Sequence, residues 1–200
     1  MKRLYFILVL WIGKFGNVLC KIFHKSGTMI SGKVAVKLQK NFVKYFRNID
    51  YDKVIFITGT NGKSTTTNLV SHTVKMAGKE VATNTEGANM MSGVATTLIK
   101  NSSLFGKFNK EFLILEIDER SLRNIFKVLP AKNLCITNLQ KDQVQRNGDP
   151  DFIYQMFKGA VNKDVTLFVN NEEPRSRSLE DYVGKVVYYS MEKNSKTFTK

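Results

Sequence analysis

A chain of 200 residues that is 42% hydrophobic is long enough to bury the core of one α/β domain. With three prolines and no low-complexity tract, it does not read as a disordered linker. The net charge of +14 is unevenly placed, because residues 1–50 carry ten Lys or Arg against a single acid, Asp50. That asymmetry fits an anionic membrane surface or lipid headgroups, and equally a general Lys-rich bias. Charge alone would suggest nucleic acid only if it were spread over the whole chain, and no nucleic-acid partner is expected. Cys20 and Cys135 lie in no C-x-x-C pair, so these residues encode no zinc site and both are expected to be free thiols.

Met1-Lys2-Arg3 followed by Leu4 to Ile12 imitates the start of a secretory signal, but no small-x-small cleavage site follows. Lys14 and Lys21 interrupt any span long enough to cross a bilayer. Leu4, Leu8, Trp11, Phe15, Val18 and Ile22 recur at helical spacing, which predicts an amphipathic helix over residues 1–25. That helix either packs on a protein domain or lies on a membrane surface. A turn-rich connection is expected at Ser26 to Lys33, and a short basic helix from Val34 to Phe46.

From Val54 onward, strand-like and helix-like runs alternate. Strands are expected at Val54–Thr58, Glu80–Thr83, Phe112–Ile117, Asn133–Thr137, Thr166–Asn170 and Val186–Tyr189. Helices are expected at Lys63–Ala77, Met90–Lys100, Ser121–Leu129 and Phe152–Val161. The pattern predicts an α/β fold, a mostly parallel sheet with helices on both faces, preceded by the N-terminal helix. Ligands of such sheets bind at the carboxyl ends of the strands.

Polar motifs gather at those ends. Ile57-Thr58-Gly59-Thr60-Asn61-Gly62-Lys63-Ser64-Thr65-Thr66 joins a buried strand to a helix through a glycine turn. Unpaired N–H groups and the positive end of the helix make such a turn a phosphate cradle. Lys63 can reach terminal phosphates, and the Ser64 hydroxyl is placed to ligate Mg²⁺. The general P-loop spacing wants a glycine at position 57, where this chain has Ile; the glycine is Gly59 instead. Leu113 to Ile117 is an apolar strand whose end turns acidic, and Glu116 there could hold Mg²⁺ directly or through water. Period-two alternation puts Asp118 on the face of Glu116; Asp118 and Glu119 read equally well as a solvated strand end or helix cap. Thr83 to Asn89 could line a ligand or form an ordinary turn, with Asn89 as a cap, and Thr137-Asn138 follows the next strand. His24 and His72 are isolated, and no nucleophile triad is visible.

These pieces together resemble the Mur ligase superfamily, ATP-dependent ligases that activate a carboxylate as an acyl phosphate for attack by an amine. The phosphate loop T-G-T-N-G-K-S-T carries the resemblance. Within the superfamily the chain is most similar to the MurT family, the amidoligase subunits of lipid II isoglutaminyl synthases. Thr83-Asn84 with Gly87-Ala88-Asn89-Met90, Leu115-Glu116-Ile117-Asp118-Glu119, Thr137-Asn138-Leu139 with Asp142-Gln143, and Asn170 to Pro174 resemble that family's motifs. Gln145, Asn147 and Ser31 depart from its pattern. The resemblance implies that ATP phosphates bind Gly59, Thr60, Asn61, Gly62, Lys63, Ser64 and Thr65, and that Asn84 and Asn138 also bind the nucleotide. It implies that Mg²⁺ involves Ser64 and Glu116, and that Lys63 and Glu116 serve catalysis.

The implied reaction is amidation of the D-glutamate α-carboxyl of lipid II, with ammonia from a glutaminase partner of the GatD type, at the cytoplasmic face of the membrane. The implied division is a basic helical segment over residues 1–48 and an incomplete central ATP-binding domain over 49–200. The family's zinc ribbon and C-terminal domain are expected to follow Lys200. Two alternatives stand beside this expectation: a non-catalytic nucleotide-binding homologue, and another Mur or folylpolyglutamate-type ligase.

Overall fold

The protein is described by a computed structural model over residues 1–22, 29–84, 88–139 and 150–190. Its strands are β1 (Val54–Thr58), β2 (Val81–Thr83), β3 (Phe112–Glu116), β4 (Asn133–Ile136), β5 (Thr166–Asn170) and β6 (Lys185–Tyr189). They form one sheet in the order β2-β3-β1-β4-β5-β6, and every neighbouring pair is parallel. The helices are α1 (Lys2–Ile22), α2 (Ile30–Leu38), α3 (Lys63–Met76), α4 (Met91–Lys100), α5 (Leu122–Phe126), α6 (Pro150–Lys158) and α7 (Pro174–Arg177). The α/β class expected from the alternating pattern is therefore what forms.

The strand order fixes where the helices go. The β1-to-β2 connection runs one way across the sheet, and every later connection runs the other way. Right-handed crossovers then put α3 on one face and α4, α5 and α6 on the opposite face. The side chains agree: Phe56 of β1 meets Phe126 of α5 edge to face, with ring centroids 5.0 Å apart. Phe56, Leu113, Leu115, Leu134 and Leu167 lie in one continuous apolar core on that side. Each such side chain taken from water stabilises the fold by about 1.5–3 kcal/mol. The α3 face is thinner, since α3 itself buries only Thr67 and Ser71.

The N-terminal helix joins this core. Phe6, Val9 and Leu10 are fully buried, and the Phe6 ring packs tilted against Phe42 and edge to face with Phe46, at centroid distances of 5.1 and 5.2 Å. The Lys14 ammonium donates to the carbonyls of Ile99 (2.7 Å) and Ser102 (2.6 Å), at and just beyond the carboxyl end of α4. A cation there meets the negative end of the helix dipole. Of the two settings open to α1 in the sequence, its inner face takes the first.

Two local expectations change. The connection expected up to Lys33 is helical from Ile30 onward, because Gly32 lets α2 lie directly against α4, its N–H donating to Thr96 Oγ1 at 3.0 Å. The helix expected to reach Phe46 stops at Leu38, and a 3₁₀ turn at Phe42–Tyr45 follows. That turn brings Phe42 and Phe46 to the same ring of Phe6, a long-range contact that helical periodicity does not encode.

Candidate functional site

The carboxyl ends of β1, β3 and β4 converge at the start of α3. Gly59 has φ 130° and Gly62, the residue preceding α3, has φ 81°; both values lie where glycine is strongly favoured. At Gly59 space is also decisive, since a Cβ would sit 2.3 Å from Thr137 Oγ1 and 2.8 Å from the Asn138 carbonyl. The loop is stitched to the end of β4 by four hydrogen bonds. The Thr60 N–H donates to the Asn138 carbonyl (2.9 Å), and the Asn61 N–H to Asn138 Oδ1 (3.0 Å). Asn138 Nδ2 and Thr137 Oγ1 both donate to the Asn61 carbonyl, at 3.0 and 2.7 Å. Asn138 therefore shapes the loop through both atoms of its amide. The first backbone bond inside α3 is Thr66 N–H to the Gly62 carbonyl, at 2.9 Å. The N–H groups ahead of it have no intrahelical acceptor and define the anion-binding mouth of the helix.

The charged side chains meet at this mouth. Ser64 Oγ donates to Glu116 Oε2 at 2.7 Å, and Asn89 Nδ2 donates to Glu116 Oε1 at 3.3 Å. Asn84 ties the end of β2 to the end of β3: it accepts from the Glu116 N–H and donates to the Glu116 carbonyl, both at 2.8 Å. Its amide also donates to the Ala88 carbonyl at 2.7 Å. Lys63 Nζ lies across the loop, donating to the Gly59 carbonyl, to the Thr60 carbonyl (3.0 Å) and to Glu119 Oε1 (3.2 Å). Thr65 follows in the first turn of α3 and is exposed.

Hydroxyl and carboxylate oxygens brought together at an anion-binding helix mouth are the donor set Mg²⁺ prefers, with phosphates and waters completing its shell. Ser64 and Glu116 fit that role by chemistry and position. Among the described residues no group of three or more His, Cys, Asp or Glu converges on one point.

The sequence reading left two participants open. Asn89 does not cap α4, whose preceding residue is Met90 with no side-chain cap; it holds Glu116 instead. Asp118 does not share the site with Glu116, because β3 ends at Glu116 and alternation stops there. Asp118 Oδ1 instead accepts from the Arg120 N–H at 3.0 Å, closing the turn before α5. Glu119 takes the inward position, its side chain 8% exposed. Burial pushes its carboxyl above the ordinary carboxylate range, while its backbone hydrogen bond and Lys63 pull the other way. The sequence signal for Glu119 was one carboxylate at the end of a strand next to a phosphate loop; which of two neighbouring acids turns inward is set only by where the strand stops. Asp142-Gln143, Gln145, Asn147, Thr85 to Gly87 and His24 lie outside the described residues. His72 is exposed on α3, and burial pushes the Cys135 thiol up to about 11, so it is not a ready nucleophile.

A phosphate that takes Lys63 must draw it away from Glu119, 3.2 Å from its ammonium, so Glu119→Gln is expected to raise affinity for a nucleoside triphosphate by about three- to tenfold. The gain is smallest at acid pH, where the parent Glu119 is already protonated. It reaches full size once pH exceeds the raised pKa and the parent carries the carboxylate. Calorimetric titration of both proteins across pH measures this ratio; a ratio that stays at one removes the competition.

A cavity of about 400 Å³ opens at the opposite, amino end of the strands, lined by Arg123, Phe126, Lys127 and Lys132 among others. It shares no residue with the phosphate loop.

A parallel α/β sheet with a glycine loop, lysine and hydroxyl at the head of the helix after β1 defines a P-loop nucleotide-phosphate-binding domain. Residues 57–200 match the family described as Mur ligase middle domain, and the chain belongs to the Mur ligase family. It is 30% identical, over 188 residues, to the protein named lipid II isoglutaminyl synthase (glutamine-hydrolyzing) subunit MurT of Staphylococcus aureus strain COL, covering 94% of this chain and 42% of that one. It is 35% identical over 150 residues to the MurT subunit of Streptococcus pneumoniae strain R6, covering 74% and 33%. The chain thus spans less than half the length of these curated relatives. Among solved structures it is similar to the MurF ligase of Thermotoga maritima in complex with ADP, with a TM-score of 0.61 at 17% identity, covering 81% of this chain and 37% of that one. MurF of Acinetobacter baumannii superposes with a TM-score of 0.58 at 14% identity, covering 79% and 34%.

Proposed function

We propose that this chain carries the ATP-binding portion of an amidoligase subunit of peptidoglycan synthesis. The observation that carries the reading is the joining of Lys63, Ser64 and Glu116 at one helix mouth, in a chain similar to MurT subunits along most of its length. In this proposal residues 49–200 form the ATP-binding portion and residues 1–48 a basic helical segment packed onto it. The substrate is the D-glutamate α-carboxyl of lipid II, amidated to D-isoglutamine through an acyl phosphate. Ammonia comes from a glutaminase subunit of the GatD type, and the work is done at the cytoplasmic face of the membrane.

Each residue has a task in this reading. The loop from Gly59 to Thr65 wraps the phosphates, which sit on the backbone N–H groups at the start of α3, while the Thr60 and Asn61 N–H groups stay on Asn138. Lys63 leaves Glu119 to meet the charge on the transferring phosphoryl group. Ser64 and Glu116 would hold Mg²⁺, which supplies charge neutralisation when bound. Asn84 and Asn89 keep Glu116 aimed at Ser64, and Asn138 holds the loop open at the width it needs.

Titration with ATP in the presence and absence of Mg²⁺ tests the site. The parent is expected to bind MgATP more tightly than free ATP. Glu116→Gln keeps the shape and loses the charge, and is expected to lose most of that Mg²⁺ dependence. An undiminished dependence would take Glu116 out of the metal site.

A further inference from the structure

The outer face of α1 plays no part in the phosphate site. On it Leu4, Leu8, Ile12, Phe15 and Val18 are each more than half exposed, at 69, 57, 51, 66 and 53%. These side chains are not scattered. The Trp11 indole donates to the Leu104 carbonyl at 2.9 Å, and Arg3 to the Phe105 carbonyl at 2.6 Å. Those bonds hold Leu104 and Phe105, exposed at 58 and 64%, along one flank. On the other flank the Tyr5 hydroxyl donates to the Leu38 carbonyl at 2.9 Å, bringing up α2 with its exposed Ile30, Val34 and Leu38. The ridge and its flanks form one apolar surface of the kind that marks an interaction site.

Charge selects the occupant. Residues 1–49 contain no acid, and Lys2 on α1, Lys33 and Lys37 on α2 and Lys40 in the turn after it are exposed. A second copy of the chain would bring like charge against like. Anionic headgroups above acyl chains match both the cations and the apolar ridge. Contrary to the interruption expected at Lys14, the stretch Lys2–Cys20 is long and apolar enough to cross a bilayer by length and composition. Its inner face is committed to the core through Phe6, Val9 and Leu10, and Lys14 is held on α4, so the helix lies along the membrane rather than through it.

We propose that the outer face of α1, with α2 and the Leu104–Phe105 tip, docks in the interface of an anionic lipid bilayer. The inference is independent of the nucleotide reading and would bring the phosphate loop to a membrane-anchored substrate. Trp11 is the only tryptophan, so its emission reports on this face alone. The 200-residue chain mixed with phosphatidylglycerol vesicles is expected to show a blue shift and co-sedimentation, with phosphatidylcholine vesicles binding at least about tenfold more weakly. Lys33→Gln with Lys37→Gln is expected to weaken binding about 30-fold. Leu8→Glu with Phe15→Glu, at exposed positions, is expected to abolish it while circular dichroism and ATP affinity stay at parental values. Equal binding to both vesicle types, or binding to neither, overturns the proposal. So does self-association in sedimentation that Leu8→Glu with Phe15→Glu removes while vesicles go unbound. Loss of ATP binding with vesicle binding intact counts against the nucleotide reading and leaves this one standing.

Discussion

Lys63→Ala is expected to weaken ATP binding by between about 30- and 150-fold, the loss of charge-assisted contacts worth about 2–3 kcal/mol. The argument rests on position. Lys63 Nζ is already at the loop, on the Thr60 carbonyl at 3.0 Å and Glu119 at 3.2 Å, so a phosphate entering the helix mouth meets it without rearrangement of the backbone. The substitution has a second consequence. Glu119, almost fully buried, loses its ammonium partner, and an unpaired buried carboxylate is destabilising. Lys63→Ala combined with Glu119→Gln separates the two effects. The double variant is expected to recover thermal stability yet still bind ATP far more weakly than Glu119→Gln alone. Recovery of affinity together with stability would show that the lysine serves folding and not the phosphate.

Gly32→Ala is expected to cost about 3 kcal/mol of stability, a fall of about 10 °C in melting temperature. A Cβ there would lie 1.9 Å from the Ser92 carbonyl, 2.4 Å from Thr96 Oγ1 and 2.7 Å from the Thr96 nitrogen. Two of these three atoms are backbone, so no side-chain rotation relieves the clash. The methyl would also displace the Gly32 N–H from Thr96 Oγ1, a hydroxyl that itself donates to the Ser92 carbonyl at 2.9 Å. Gly16→Ala in α1 is the control. Nothing lies within 4 Å of the added carbon, and replacing glycine inside a helix is expected to gain up to about 1 kcal/mol. Denaturant or thermal unfolding of the pair measures the contrast. Equal melting temperatures would mean that α2 is free to move away from α4.

The strands and the phosphate loop were legible because their signals are local. Val54 to Thr58 is an apolar run leading into glycines, and the N–H groups suited to an anion belong to the backbone of the loop itself. Glu116 was legible for a related reason: a carboxylate at the end of a buried strand has few places to go. Ser64 and Glu116 are 52 residues apart in sequence, yet the parallel pairing of β1 with β3 sets Ile57 beside Glu116, and the alternation of strands and helices already implies such pairing. Asn89 and Glu119 were less accessible. Each reaches the site because a strand or helix ends one residue earlier or later than its periodicity suggests, and hydrogen bonds to other segments set that ending.

The sequence by itself determined the class of sheet, the phosphate loop and the amphipathic character of the N-terminus, all of which follow from neighbours along the chain. Only the tertiary structure decided which of two adjacent acids holds Lys63, that α2 starts where Gly32 permits contact with α4, and which face of α1 is spent on the core. Those outcomes depend on the distance between segments far apart in the chain, a quantity that close packing fixes and local propensity does not contain.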